Sequence, residues 1–506
     1  MLIAAASVGA TYALAVAAGE RSLAQRIFRD GAVYAVAGVL SQGISFLLFP
    51  FFAHVFDPRD YGVVDLIGVL MTLVNLTVAL EVAQGLGRFF ADARTVEDRR
   101  AYASTALTFS VLCFTAFAAV TLATAVPLSR LLLGSEVDPD VLRIGIGVFW
   151  INGLTYLVTD LLRWQLRPKA YAVVVVLTVS VVAASSGVYV LALDLGVEGA
   201  LLGQLTGFAF GGLLAVVLSR RLLRLQLDRA RLREMLAYSL PLVPASAGVF
   251  LNGYADRLAI QTQLTLADVG MYGVAYRLSV VVSLTLIGFQ GALMPQLLRH
   301  HDDPGTPEQL ARVFRLFCAL ALSVLLLVST FADELLAVLT PPVYYDAEEV
   351  VPFLVAAAFL AGMYMFAPGM HIARRTRSVA TVTVTAGLAN LLLALLLTPP
   401  LGILGAALSF LVSQGAAFTA LMVLSQRLYP VPHPWGRLAV GAALGCALTV
   451  LGWSLPSVEA QAWAAALKVV VAAAGVGLLA RWLMDADERA LGRSWLSARR
   501  PAGTRA

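Results

Sequence analysis

The chain has 506 residues, 59% hydrophobic and 13% charged, with 36 basic and 31 acidic side chains and a formal net charge of +5. Mean hydropathy is +0.83, whereas a soluble globular domain carries roughly 25% charge. A soluble fold is excluded. So is a nucleic-acid-binding domain, because the basic residues are parcelled into short loops, where attraction to anionic leaflets accounts for them.

Residues 1–21 are an apolar extension. The stretch MLIAAASVGATYALAVAAGE lacks the basic start of a signal peptide. It is expected to pack loosely or lie at the interface, outside the main bundle. Fourteen apolar stretches follow, at 31–54, 62–86, 101–126, 141–162, 170–193, 197–219, 236–262, 270–298, 313–331, 350–370, 378–398, 402–425, 438–455 and 461–482. Each is close to or above the roughly 20 residues that cross a hydrocarbon core. An even number returns the chain to the side on which it started.

Charge orients the bundle. Thirty of the 36 basic residues fall on one set of ends and loops, from Arg21, Arg26 and Arg29 through the run Arg220–Arg233 to the tail. The opposite loops hold Arg59, Arg130 and Arg143 among acids such as Asp57, Asp60, Glu136, Asp138, Glu198 and Asp268. The positive-inside rule makes the basic side cytoplasmic. Both termini of the fourteen-helix core are therefore expected in the cytoplasm. Arg257, Arg277 and Lys468 are exceptions within the spans.

An internal repeat divides the chain. DYGVVDL (60–66) follows the first span and MYGVAYR (271–277) the seventh. LGVEGALLG (195–203) is repeated as LGILGAALS (401–409), and the basic loop at Arg167 and Lys169 has a counterpart at Arg375 and Arg377. The offset spans six helices, so the copies share one orientation. The predicted fold is all-α: a polytopic membrane transporter with 14 transmembrane helices in two parallel six-helix lobes plus two C-terminal helices. The lobes are 22–222 and 236–426, joined by a cytoplasmic linker at 223–235. Helices thirteen and fourteen occupy 427–484, and a cytoplasmic tail 485–506. Gly62, Gly273, Gly196, Gly199, Gly402 and Gly405 are expected to shape tight hairpins. Pro241 and Pro244 are expected to bend span seven at its cytoplasmic end.

Charge inside hydrocarbon is costly and marks candidate sites. Arg257 and Arg277 lie in the outer halves of consecutive antiparallel spans. A guanidinium stays charged and presents a donor fork that suits phosphate oxygens. Asn252 is a polar neighbour, and Arg88 and Arg163 stand near the cytoplasmic mouth; these five are the candidate substrate-binding residues. An Asp256–Arg277 ion pair is the structural alternative. Glu81, Asp256 and Asp65 are candidate ion-coupling groups. Glu81 and Arg88 are seven residues apart, about 10.5 Å along a helix, too far for an easy pair, whereas Asp160 and Arg163 have i,i+3 spacing. Cys113, Cys318 and Cys446 are scattered and read as packing residues. The five histidines do not gather into a metal site, and no nucleotide-binding or hydrolase motif occurs. No catalytic residue, metal or cofactor is expected.

FPFFAHVFDPRDYGVVDL (49–66), YSLPLVPASAGVFLNGYADRLAI (238–260), LADVGMYGVAYRLS (266–279) and LGILGAALS (401–409) resemble the polysaccharide flippases of the multidrug/oligosaccharidyl-lipid/polysaccharide exporter superfamily. The resemblance covers about 22–482. It implies a non-enzymatic flippase of the bacterial inner membrane, moving a polyprenyl-diphosphate-linked saccharide to the periplasmic leaflet for O-antigen or exopolysaccharide synthesis. It also implies that Arg257, in the ADR segment, meets the sugar-diphosphate head while the lipid tail stays among membrane lipids. A polysaccharide polymerase is a conceivable partner, and proton or sodium coupling a conceivable driving force. A lipid II flippase, a drug/cation antiporter of the same superfamily and a synthase scaffold are the alternatives.

Overall fold

The computed structural model describes residues 21–279, 302–456 except 374, 462–486 and 488, with single positions at 282, 286 and 297. The N-terminal extension, most of the eighth predicted span beyond 279 and the last residues of the tail lie outside the described residues. Among the described residues, the regular structure is helical, and thirteen helices are long and apolar enough to cross a membrane. They correspond one by one to predicted spans. Predicted span eight is represented by the helical stretch 266–279.

The helices in order are α1 (Arg21–Val55), α2 (Pro58–Thr77), α3 (Val82–Asp92), α4 (Val96–Ala123), α5 (Ala125–Leu132), α6 (Pro139–Trp164), α7 (Pro168–Gly187), α8 (Gly196–Ser219), α9 (Arg229–Ser239) and α10 (Val243–Gln263). Then come α11 (266–279), α12 (Thr306–Thr330), α13 (Ala332–Leu339), α14 (Val351–Gly362), α15 (Gly369–Ile372), α16 (Thr376–Leu401), α17 (Ile403–Leu428), α18 (Trp435–Trp453) and α19 (Ala462–Leu483).

The loop acids at one end of the bundle have a local task. Asp57 Oδ1 accepts from the Asp60 N–H at 2.8 Å and Asp138 Oδ1 from the Asp140 N–H at 2.9 Å, each just before a proline-started helix. Both are N-caps, which satisfy donors that the first turn leaves unpaired. Thr265 and Asp268 form a reciprocal cap at the start of α11. We call this the acidic end, and the arginine-rich opposite face the basic end.

Helix neighbours repeat along the chain. In the first half α7 packs on α1 and α8, and α8 on α6. In the second half α16 packs on α10 and α17, and α17 on α14. Gly196 (φ 52°) and Gly402 (φ 59°) occupy equivalent places in the LG repeat, and both are left-handed, where glycine carries no Cβ penalty. The final pair, α18 and α19, packs against α12. Lys468, 1% exposed, reaches from α19 to Asp333 Oδ1 (2.6 Å) and Glu334 Oε1 (2.7 Å) of α13. Its burial is possible because both carboxylates compensate the charge.

The linker is strapped to α4. The backbone N–H groups of Arg224, Gln226 and Asp228 donate to the hydroxyls of Ser104, Thr108 and Thr105 at 2.9–3.1 Å. Tyr102 donates to Glu234, and Arg231 pairs with Asp98 at 2.6 Å. The expected bend in span seven is a single 3-10 turn, Leu240–Leu242, holding Pro241 between α9 and α10. Span two is not one helix. It breaks between α2 and α3, where Leu80 (φ 52°) and Glu81 (φ 55°) are both left-handed. For residues with a Cβ this costs roughly 1–2 kcal/mol each.

Candidate functional site

A cavity of about 370 Å³ lies between helices of both halves, at the small end of ligand cavities, which run roughly 300–1,000 Å³. Its wall is mostly aromatic and aliphatic, with Phe49, Phe52, Phe208, Tyr254 and Tyr276 among the large side chains. The charged groups on it are Asp65, Arg257 and Arg277. Asp65 is two turns into α2, Arg257 is near the end of α10, and Arg277 is three turns into α11, so three chain segments converge there.

Arg257 is 3% exposed. Its Nε donates to Asp65 Oδ2 at 2.8 Å, and its guanidinium lies 4.1 Å from the centre of the Tyr276 ring, with Tyr272 and Tyr254 at 5.5 and 5.6 Å. An ion pair and a cage of π-faces together make its burial tolerable. One donor is unspent: Nη1 is buried without a hydrogen-bond partner. Arg277 lines the same wall and engages the Tyr61 hydroxyl. Asp65 fits because Gly273 stands opposite; a β-carbon there would come within 3.1 Å of the carboxylate carbon.

The alternative Asp256–Arg277 pair does not form. Asp256 is fully buried behind the wall, where it accepts from the Tyr272 hydroxyl and from the Arg257 N–H at 2.9 Å. The reason is register: Asp256 and Arg257 are adjacent on α10 and face different ways. Arg257 turns to the cavity and to Asp65. The wall thus carries one net positive charge from Arg257, Arg277 and Asp65, and Asp256 balances it from behind.

Three other candidates lie elsewhere. Asn252 faces α16, where Asn390 donates to its carbonyl at 3.5 Å and Gly387 meets its backbone. Arg88 pairs with Asp92 at 2.8 Å, with both side chains more than half exposed at the basic end. Arg163 pairs with Asp160 at 3.3 Å, as the spacing predicts, and donates to the Tyr171 hydroxyl at 2.8 Å. Glu81 belongs to this second polar group, in the basic half. Its Oε1 accepts from the Ser246 hydroxyl at 2.5 Å, which joins the break in span two to the first turns of α10.

The acidic end above the main cavity is sealed. A β-carbon on Gly62 would stand 1.9 Å from the Leu266 carbonyl oxygen, and one on Gly270 1.8 Å from that of Pro58. The repeat glycine Gly62 is therefore a point of backbone contact between the starts of α2 and α11, rather than a hairpin former. Gln261 Nε2 donates to the Leu132 carbonyl at 2.9 Å, and the Tyr344 hydroxyl to that of Phe56 at 2.8 Å. These bonds close the same end.

The family described as "Polysaccharide biosynthesis protein" matches residues 51–347, more than half of the chain. The chain belongs to this family. The matched region includes every charged group of the cavity wall. The chain matches none of the curated proteins. Solved structures with the same fold include the lipid II flippase MurJ in an inward closed conformation. That match has TM-score 0.72 and 10% identity, over 89% of this chain and 98% of that one. An inward-facing multidrug resistance MATE family transporter of the MOP superfamily gives TM-score 0.65 and 15% identity, over 78% and 94%. An outward-facing multidrug resistance MATE family transporter gives TM-score 0.57 and 16% identity, over 80% and 96%. A MOP superfamily transporter from Pyrococcus furiosus, described as having a binding pocket of reversed polarity, gives 0.56 and 15% identity, over 79% and 95%. The family member described here is thus an all-α, multi-pass membrane protein with a transporter fold.

Proposed function

We propose that this protein is a flippase that carries a polyprenyl-diphosphate-linked saccharide from the cytoplasmic to the periplasmic leaflet of the inner membrane, for polysaccharide synthesis. The observation that carries the reading is Arg257: buried, half-used by Asp65, with a free Nη1 beside Arg277 on a cavity wall. A diphosphate offers the oxygens that this donor lacks. Aromatic walls suit the apolar faces of sugar rings, and the lipid tail would remain in the bilayer. The recurring helix neighbours support two parallel six-helix lobes that rock about the cavity. The basic end is then cytoplasmic, and the sealed acidic end faces the periplasm. In this cycle the anionic head takes Asp65's place on Arg257, and the freed carboxylate no longer ties α2 to α10. No bond in the substrate is made or broken.

A second reading is lipid II transport. It is favoured by the extent of the match to the lipid II flippase, 89% of this chain against 78–80% for the drug transporters. Lipid II also carries a polyprenyl diphosphate, so the charged wall serves either substrate.

The test is flipping in proteoliposomes, with a defined polyprenyl-diphosphate oligosaccharide and lipid II offered separately. R257A is expected to lose transport with membrane insertion intact, and R257K to retain only part, because an ammonium lacks the planar fork. Normal transport by the R257A/R277A double variant overturns the diphosphate clamp. Preference for lipid II selects the second reading.

A further inference from the structure

The break in span two encloses a second, much smaller cavity that the flippase reading does not use. It is about 20 Å³, lined by Asn75, Glu81, Ser110, Tyr156 and apolar neighbours from α2, α4 and α6. One water-sized particle needs roughly 10–15 Å³ of such space, so it holds a single small guest. Two of its oxygens are orphans. Ser110 is 1% exposed and its Oγ has no partner, and Asn75 Oδ1 is buried without one, while the Asn75 Nδ2 donates to Asn152 Oδ1.

The charge balance points to what the guest is. Glu81, 8% exposed, faces Asp160 across the cluster. The groups packed around it are Tyr156, Asp160 and Arg163 of α6, Tyr171 of α7, Ser110 and Phe114 of α4, and Ser246 of α10. The cation among them is Arg163, and Asp160 and Tyr171 already hold it. Of the two carboxylates only Asp160 pairs with the guanidinium, which leaves the negative charge of Glu81 uncompensated in a membrane interior. A water molecule would satisfy the orphan oxygens but not the charge. A proton on Glu81 would cancel the charge but could donate to only one oxygen. A small cation does both, because carboxylate, amide and hydroxyl oxygens are the donors that hard cations take. Interrupted membrane helices recurrently form such sites.

We propose that the Asn75–Glu81–Ser110 cavity is a binding site for one monovalent cation of sodium size. Glu81 supplies the charge, and Asn75 and Ser110 the neutral oxygens. The strained pair Leu80 and Glu81 holds the carboxylate over the cavity, and Ser246 of α10 shares it. The cation therefore competes with Ser246 for Glu81, and occupancy sets how firmly the break in span two is tied to α10. Binding stands apart from the flippase reading; only its use in driving transport rests on that reading.

The test uses the full chain in nanodiscs at pH 8 in choline chloride, with radioactive sodium binding and thermal unfolding read against added sodium, lithium or potassium at constant ionic strength. One saturable sodium site is expected, lost in E81Q and weakened roughly tenfold in N75A and in S110A. S110A removes one buried hydroxyl and serves if E81Q does not fold. Identical curves in all four salts, or unchanged sodium binding by S110A and N75A, overturn the proposal. Sodium binding without flipping rejects the flippase reading and keeps the site; flipping without sodium binding does the reverse.

Discussion

The crossing of α2 and α11 gives a sharp handle on the seal at the acidic end. In G62A the new β-carbon would stand 1.9 Å from the Leu266 carbonyl oxygen and 2.9 Å from its carbon. A relaxed carbon–oxygen contact is roughly 3.3 Å, so the two backbones must part by about 1.4 Å. The obstacle is main chain, so no rotamer change can absorb the clash. Overpacking of this kind costs about 1–3 kcal/mol while the seal stays shut. A state with the seal open avoids that cost, so the ratio of open to sealed molecules should rise about 5- to 150-fold. Leu131 and Val343 are exposed at the acidic end, on opposite halves of the chain. Spin labels on L131C and V343C, with Cys113, Cys318 and Cys446 replaced, report their separation in nanodiscs. G62A and G270A should each add a longer-distance population. G38A should not, because nothing lies within 4 Å of a β-carbon at Gly38. An unchanged distance distribution together with an unchanged thermal midpoint in G62A would refute the assignment of this crossing as the seal.

K468M should lower thermal stability by about 1–3 kcal/mol, because it strands the partly buried carboxylates of Asp333 and Glu334. The triple variant with D333N and E334Q should recover most of the loss, and no recovery would mean that packing rather than charge holds α19. His433 lies between α17 and α18 with its ring 4.8 Å from Phe314 and 5.0 Å from Trp435, and burial pushes its pKa from 6.5 down to about 4. The unfolded chain takes up that proton near pH 6.5 and the folded chain only near 4. His433 therefore contributes full stability above about pH 6.5, lost as pH falls toward 4, with an upper bound of about 3 kcal/mol. H433F should flatten that part of the stability–pH curve; an identical slope would exclude His433 as its source. Asp228 caps α9 through the N–H groups of Ala230 and Arg231. D228A should cost about 1 kcal/mol and speed amide exchange at 224–232, and unchanged exchange there would show that the hydroxyls of α4 hold the linker alone.

The fold was legible in the sequence where one physical cause dominates. Apolar runs of span length located all thirteen helices, because hydrocarbon forces the backbone to satisfy itself within each segment. Arg257 and Arg277 stood out because charge in a span is costly. What was not legible depends on partners distant in sequence. Asp65 read as a candidate ion-coupling group, yet it is the anchor of Arg257, and only the meeting of α2 with α10 creates that pair. Asn252 and Arg88 carried the same polar signal as Arg257. One faces α16 and the other solvent, and rotation about a helix axis is not written in the local pattern of an almost uniformly apolar helix. The break at Leu80 and Glu81 left no glycine or proline as a mark, so tertiary packing overrides local preference there. Gly85 lies against the Met235 carbonyl and Gly87 under the Trp164 ring, and both fix α3 after the break.

The two polar clusters divide the span-two segment between opposite ends of the molecule. Near the acidic end, Asp65 ties α2 to α10 through Arg257. In the basic half, Glu81 ties the break to the same helix through Ser246. Both links end on α10, which itself packs on α16 and α17 in the second half. An anionic head that claims Arg257 loosens the first link, and a cation that claims Glu81 loosens the second. The ligands have opposite charge and touch different residues, yet they act on one helix. Binding of either therefore changes the cost of moving α10, and by linkage each changes the affinity for the other. R257A should remove any effect of a polyprenyl-diphosphate saccharide on sodium affinity while leaving sodium binding itself in place. A lipid effect on sodium affinity that survives in R257A would show that the two links are coupled by a route other than α10.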